Sequence, residues 1–104
     1  MTTQSQETAR EEALTQLRSG TTALAEGRLE QAAESLVSAE STFRQLNDPE
    51  HAADSRTALA EVQRRNGAAE QAANSYQRAI GLYKEANSPA SEGTIFSLAR
   101  ALGP

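Results

Sequence analysis

Arg64 and Arg65 are the only adjacent basic side chains in this sequence. Guanidinium forks suit bidentate contacts to carboxylate or phosphate groups, and near a helix C-terminus they also complement the dipole. The single histidine, His51, cannot build a metal site alone, and its place two residues after Pro49 reads as a solvated first turn. There is no Cys, so thiolate ligands and disulfides are excluded. Glu11, Glu12, Glu30 and Glu34 supply carboxylates, but nothing pairs them with a base or a nucleophile. No Gly-rich phosphate loop and no metal-ligand spacing is present. These residues predict a non-enzymatic chain with no catalytic residue, no metal and no cofactor.

The elements that position these side chains are punctuated at a fixed interval. Gly27, Asn47, Gly67 and Asn87 recur every 20 residues, each after a stretch of helical character. Gly and Asn tolerate the left-handed conformation that ends helices. GRLEQAAESLVSAESTF, from Gly27, realigns 40 residues on with GAAEQAANSYQRAIGLY, from Gly67. The pattern predicts helices over 7–26, 29–46, 49–66, 69–86 and 89–102. Leu14, Leu17 and Leu24 mark the first apolar stripe; Leu29, Ala32, Leu36, Ala39 and Phe43 the second; Ala52, Leu59 and Val62 the third; Ala72, Tyr76, Ala79 and Tyr83 the fourth. Asp48 should cap the third helix with Pro49 at its first position. Two-residue connections force neighbours antiparallel. The expected fold is all-α: stacked antiparallel helical hairpins, five helices, two and a half repeats. Residues 1–6 are expected to form a disordered tail ahead of one domain over 7–104.

Aromatic residues are 4% of the 104 residues, so Ala must carry much of the core by letting helices approach closely. The net charge of −4 divides into −6 over residues 1–54 and +2 over residues 55–104. Acidity argues against non-specific nucleic-acid binding, whereas the asymmetry suits head-to-tail contacts between copies. No apolar run approaches the ~20 residues that span a bilayer. The N-terminus lacks a basic start and apolar segment, so a soluble, cytoplasmic, non-membrane protein is expected. The excess of Arg over Lys and the many Ala point to a GC-rich bacterial source.

Gly20, Gly27, Ala32, Leu36 and Ala39 recur as Ala60, Gly67, Ala72, Tyr76 and Ala79, with Leu59 ahead of Ala60 and Leu98-Ala99 one residue out of register. This signature resembles the tetratricopeptide repeat family in a 40-residue-period form, over nearly the whole chain from Glu7. It departs at Gln16 and Arg56, where the family carries a bulky residue. The resemblance implies a right-handed superhelix whose concave face, lined by each unit's first helix, holds a peptide or a partner helix. The implied lining is Leu17, Thr21 and Leu24, then Asp54, Thr57, Glu61, Arg64 and Arg65, then Phe96 and Arg100. The family's best-known groove binds a C-terminal carboxylate through a Lys/Asn/Arg cluster. Leu17, Thr21, Thr57 and Glu61 stand at those positions, so no chaperone-tail carboxylate should bind.

The last helix carries Ile95, Leu98 and Leu102 at helical spacing, with Phe96 beside Ile95. It is apolar on more than one side, which marks Ile95, Phe96 and Leu102 as a contact for a homo-oligomer. The leading expectation is a scaffold or adaptor that binds a protein or peptide partner. The alternatives are a self-assembling structural module closed through the C-terminal helix, or a small chaperone or regulator of one partner protein.

Overall fold

Four left-handed residues set the architecture. In the computed structural model, which describes residues 3–102, Gly27 and Gly67 have φ of 79° and Asn47 and Asn87 have φ of 57° and 55°. At each, two bonds close the preceding helix. Arg28 N–H donates to Ala23 O at 2.8 Å and Gly27 N–H to Leu24 O at 3.1 Å. The same pair recurs at Asn47-Asp48, Gly67-Ala68 and Asn87-Ser88. This is the Schellman arrangement, which satisfies carbonyls that the helix end leaves orphaned.

Between these stops run α1 (Thr3–Ala25), α2 (Leu29–Gln45), α3 (Pro49–Arg65), α4 (Ala69–Glu85) and α5 (Ala90–Leu102). No strand occurs among the described residues. Each helix packs on the next in sequence, and α1 also touches α3, giving stacked antiparallel hairpins. Asp48 caps α3 by accepting His51 N–H at 3.1 Å, with Pro49 at the first helical position. Ser88 accepts Ala90 N–H at 3.2 Å, so α5 starts one residue after Pro89. α1 starts at Thr3, ahead of the expected Glu7, because no Gly or Pro in Thr3–Gln6 interrupts it; Thr8 Oγ1 donates to Gln4 O at 3.1 Å. Gly103 and Pro104, expected to terminate α5, lie outside the described residues, as do Met1 and Thr2.

The core is built from small residues with bulky knobs between them. Ala32, Leu36, Ala39 and Phe43 of α2 are fully buried, as are Ala52, Ala53 and Ala60 of α3 and Ala72 and Ala79 of α4. In α1 the buried positions are Ala13, Gly20 and Ala23, while Leu14, Leu17 and Leu24 straddle the seam half-buried. The reason is closeness: a Cβ on Gly20 would lie 2.6 Å from Leu36 Cγ. No such neighbour explains Gly81, beside which a Cβ would meet nothing within 4 Å.

The stripe of α5 differs from the expected one. Thr94 is buried and Leu98 and Ala101 pack on the Ala60/Ala72/Tyr76 cluster, while Ile95, Phe96 and Leu102 are exposed. Thr94 Oγ1 donates to Ala90 O at 3.0 Å, as Ser55 Oγ donates to His51 O at 3.0 Å in α3. A small hydroxyl residue that satisfies itself on the preceding turn fits the close helix contact, and the larger apolar side chains turn outward.

Candidate functional site

α3 is central to the site. Its Asp54 and Glu61 lie two turns apart and face Tyr83 and Tyr76, two turns apart on the antiparallel α4. Tyr83 donates to Asp54 Oδ1, and Tyr76 donates to Glu61 Oε2 at 3.1 Å. Burial and the facing carboxylates hold both phenols protonated above their ordinary range. Thr57 sits half-buried between the two carboxylates on α3.

Glu61 is also the centre of an arginine cluster. Arg64 donates to both of its oxygens, the Nε bond measuring 3.0 Å, and Arg65 Nε donates at 3.4 Å. The Arg64 bond is the largest cause of a Glu61 pKa of about 2, with burial opposing it and Tyr76 helping. Arg65 also donates to Leu24 O at 3.0 Å, tying the end of α3 to the last turn of α1. The arginine pair thus has its charge shared with one carboxylate, and each guanidinium remains exposed.

On α1, Leu17 and Leu24 are half-buried against the core, and exposed Thr21 donates back to Arg18 O at 3.0 Å. Arg100 is exposed on α5 and joins none of these bonds. Phe96 is 74% exposed, Leu102 66% and Ile95 46%. The structure therefore gathers Leu24, Asp54, Thr57, Glu61, Arg64 and Arg65 about α3, and the α5 residues lie outside that hydrogen-bond network.

Two polar clusters escaped the sequence reading. Glu40 of α2 is 4% exposed, with Arg56 Nε 2.7 Å and Arg78 Nε 3.2 Å from its oxygens. Arg56 also reaches Ser75 Oγ at 3.4 Å, and Ser75 donates to Gln63 at 2.7 Å. Three helices are tied through one buried charge. The second cluster gives the half-exposed His51 partners that the sequence did not announce: its ring stacks on Phe43 with centroids 5.0 Å apart, and its Nδ1 donates to Asp48 at 2.8 Å. Arg10 of α1 reaches the same carboxylate at 2.5 Å. Burial raises the Asp48 pKa, but the His51 and Arg10 bonds outweigh it and hold the carboxyl below its usual range.

A depression of about 520 Å³ between α1 and α2 is rimmed by exposed Arg18, Arg28 and Glu34. It is a shallow dish and encloses no buried ionisable group. Among the described residues no cluster of three or more His, Asp or Glu could hold a metal ion, and no helix is long and apolar enough to cross a membrane.

A family model described as soluble NSF attachment protein, SNAP, matches residues 2–100. The chain belongs to the SNAP family. No curated protein and no solved structure matches it. SNAP is a TPR-like helical-repeat family, which agrees with the stacked hairpins seen here. Domains of this type commonly mediate protein interactions and are typically not enzymes. In a SNAP-family chain the geometry around α3 is therefore to be weighed as a surface for protein partners.

Proposed function

We propose that this chain is a non-enzymatic adaptor that holds a peptide or helix of a partner protein against the face formed by α1, α3 and α5. The observation that carries the reading is the Glu61 cluster. It fixes two exposed guanidinium groups at the end of α3 and joins that helix to α1. Fixed, solvent-facing arginines beside half-buried Leu24, with half-buried Leu17 two turns earlier on α1 and Thr57 two turns earlier on α3, offer a charged anchor at the end of a partly apolar strip. Such a surface suits an amphipathic segment with an acidic end. Exposed Thr21 and half-buried Asp54 complete the lining, and Arg100 extends it onto α5. The family description speaks of attachment to another protein, NSF, and tethering of that kind is the role we propose here, with the partner defined only by its chemistry. We also infer a longer-helix form of the TPR architecture, which the 40-residue spacing of Gly27 and Gly67 supports.

The test is selection of a displayed library of amphipathic helical peptides on the chain, followed by affinity measurements on single clones. Acidic-ended clones should dominate and should lose about tenfold or more in affinity against Arg64→Glu/Arg65→Glu. Equal affinity for that variant, or enrichment of basic clones, would contradict the reading.

A further inference from the structure

We propose that α5 is a self-complementary docking helix that pairs antiparallel with α5 of a second copy of this chain, about a two-fold axis through Phe96. This goes beyond the adaptor reading, uses none of the Glu61 cluster and shares only Arg100 with the proposed partner-binding face.

The outward face of α5 presents Glu92, Phe96 and Arg100 at successive turns, all exposed. Neither Glu92 nor Arg100 has a side-chain ion-pair partner among the described residues. Two helical turns separate them, about 12 Å along the axis, so they cannot pair within their own helix. An antiparallel copy centred on Phe96 brings each charge opposite its complement: Glu92 faces the partner's Arg100, and Arg100 faces the partner's Glu92. The same operation sets Gly93 opposite the partner's Ala99, small against small on both sides. A Cβ at Gly93 would meet nothing within 4 Å in its own chain, so the gap serves no internal contact. Phe96, 74% exposed, then stacks on its symmetry mate, with Ile95 at 46% exposure beside it.

An isologous interface requires a patch that complements itself under rotation. A face shaped for an unrelated helix has no reason to place opposite charges and small residues at equal distances either side of one aromatic. Charge complementarity therefore favours a second copy over another occupant. A single 13-residue helix is about 20 Å long, and such a contact falls at the small end of specific interfaces. The dimer should be reversible, with a dissociation constant on the order of 10 µM, and weaker at high salt.

Sedimentation over a wide concentration range tests this, with helicity checked for every variant. The chain should pass from monomer to dimer as concentration rises. Glu92→Arg alone and Arg100→Glu alone should each weaken the dimer by about tenfold or more, because each sets like charges opposite twice. An equimolar mixture of the two variants should recover a dimer near wild-type strength, since opposite charges then meet across the pair. Where either reversal lowers helicity, Glu92→Gln and Arg100→Gln replace it and should weaken the dimer by a smaller factor. A chain that stays monomeric at millimolar concentration overturns the proposal. So does a dimer indifferent to the charge variants, or a mixture no stronger than its components; binding of α5 to a different protein with no self-association would mean that the face serves that partner instead.

Discussion

Arg56 of α3 places its Nε 2.7 Å from a carboxylate oxygen of Glu40 on α2, and Glu40 is 4% exposed. In repeat proteins of this kind the Arg56 position carries a bulky residue. Here the long guanidinium fills the space and finds Glu40, the one buried acid among the described residues. Arg56→Ala should cost about 2–4 kcal/mol in urea unfolding, because it strands a buried charge with only the half-exposed Arg78 nearby. The double variant Glu40→Leu/Arg56→Leu should lie within about 1 kcal/mol of wild type. A double variant as unstable as Arg56→Ala would show that packing, and not charge pairing, governs the site.

Gly20 and Gly81 make opposite predictions for the same substitution. A methyl at Gly20 intrudes on fully buried Leu36, and overpacking of about 1–3 kcal/mol outweighs the gain of about 1 kcal/mol in helix propensity. Gly20→Ala should therefore lower the unfolding midpoint. Gly81→Ala meets open space and should stabilise by about 0.5–1 kcal/mol. Denaturation curves of the two variants side by side check both signs.

Tyr76 is 2% exposed and wedged between Ala60, Ala72 and Leu98. Tyr76→Ala should cost about 3–5 kcal/mol, the range for large aromatic truncations. Tyr76→Phe keeps the ring and loses only the bond to Glu61, so about 0.5–1.5 kcal/mol is expected. A near-zero cost for Tyr76→Ala would contradict the packing described for α4.

The chain should be most stable between mildly acidic and moderately alkaline pH. Glu61 titrates at about 2 in the folded state, below the unfolded value of about 4.3. Its stabilisation, about 1–2 kcal/mol after screening of a partly exposed cluster, is present above about pH 4.3 and is lost as pH falls toward 2. Asp48 is depressed too and adds to the same acid limb. Tyr76 and Tyr83 are raised, so their stabilisation is complete below about pH 10 and is lost as pH rises beyond it. Unfolding free energies of wild type and Glu61→Gln across pH should show a flatter acid limb in the variant.

The helix stops were the most legible part of the sequence, because a left-handed residue has few chemical choices: Gly27, Asn47, Gly67 and Asn87 all adopt positive φ. Helix spacing exposed the knobs Leu36, Phe43, Tyr76 and Tyr83 for the same local reason. What escaped were long-range polar contacts. Glu40, Arg56 and Arg78 lie on three different helices, and no periodicity along one helix announces that they meet. The Tyr–carboxylate pairs left a fainter mark, since Asp54 and Glu61 share the two-turn spacing of Tyr76 and Tyr83. On α5 the buried stripe runs one residue earlier at its ends, through Thr94 and Ala101, because a threonine reads as polar although its hydroxyl is satisfied on Ala90 O; the exposed Ile95, Phe96 and Leu102 were legible as an apolar contact face.

The adaptor reading is tested most directly by mapping amide chemical shifts as the strongest library-selected acidic helix is titrated into the labelled chain. The account predicts that the perturbed amides lie on α1, α3 and α5 and are largest around Thr21, Thr57 and Arg64–Arg65. Perturbations confined to α2 and α4 would place the binding surface on the opposite side and contradict it.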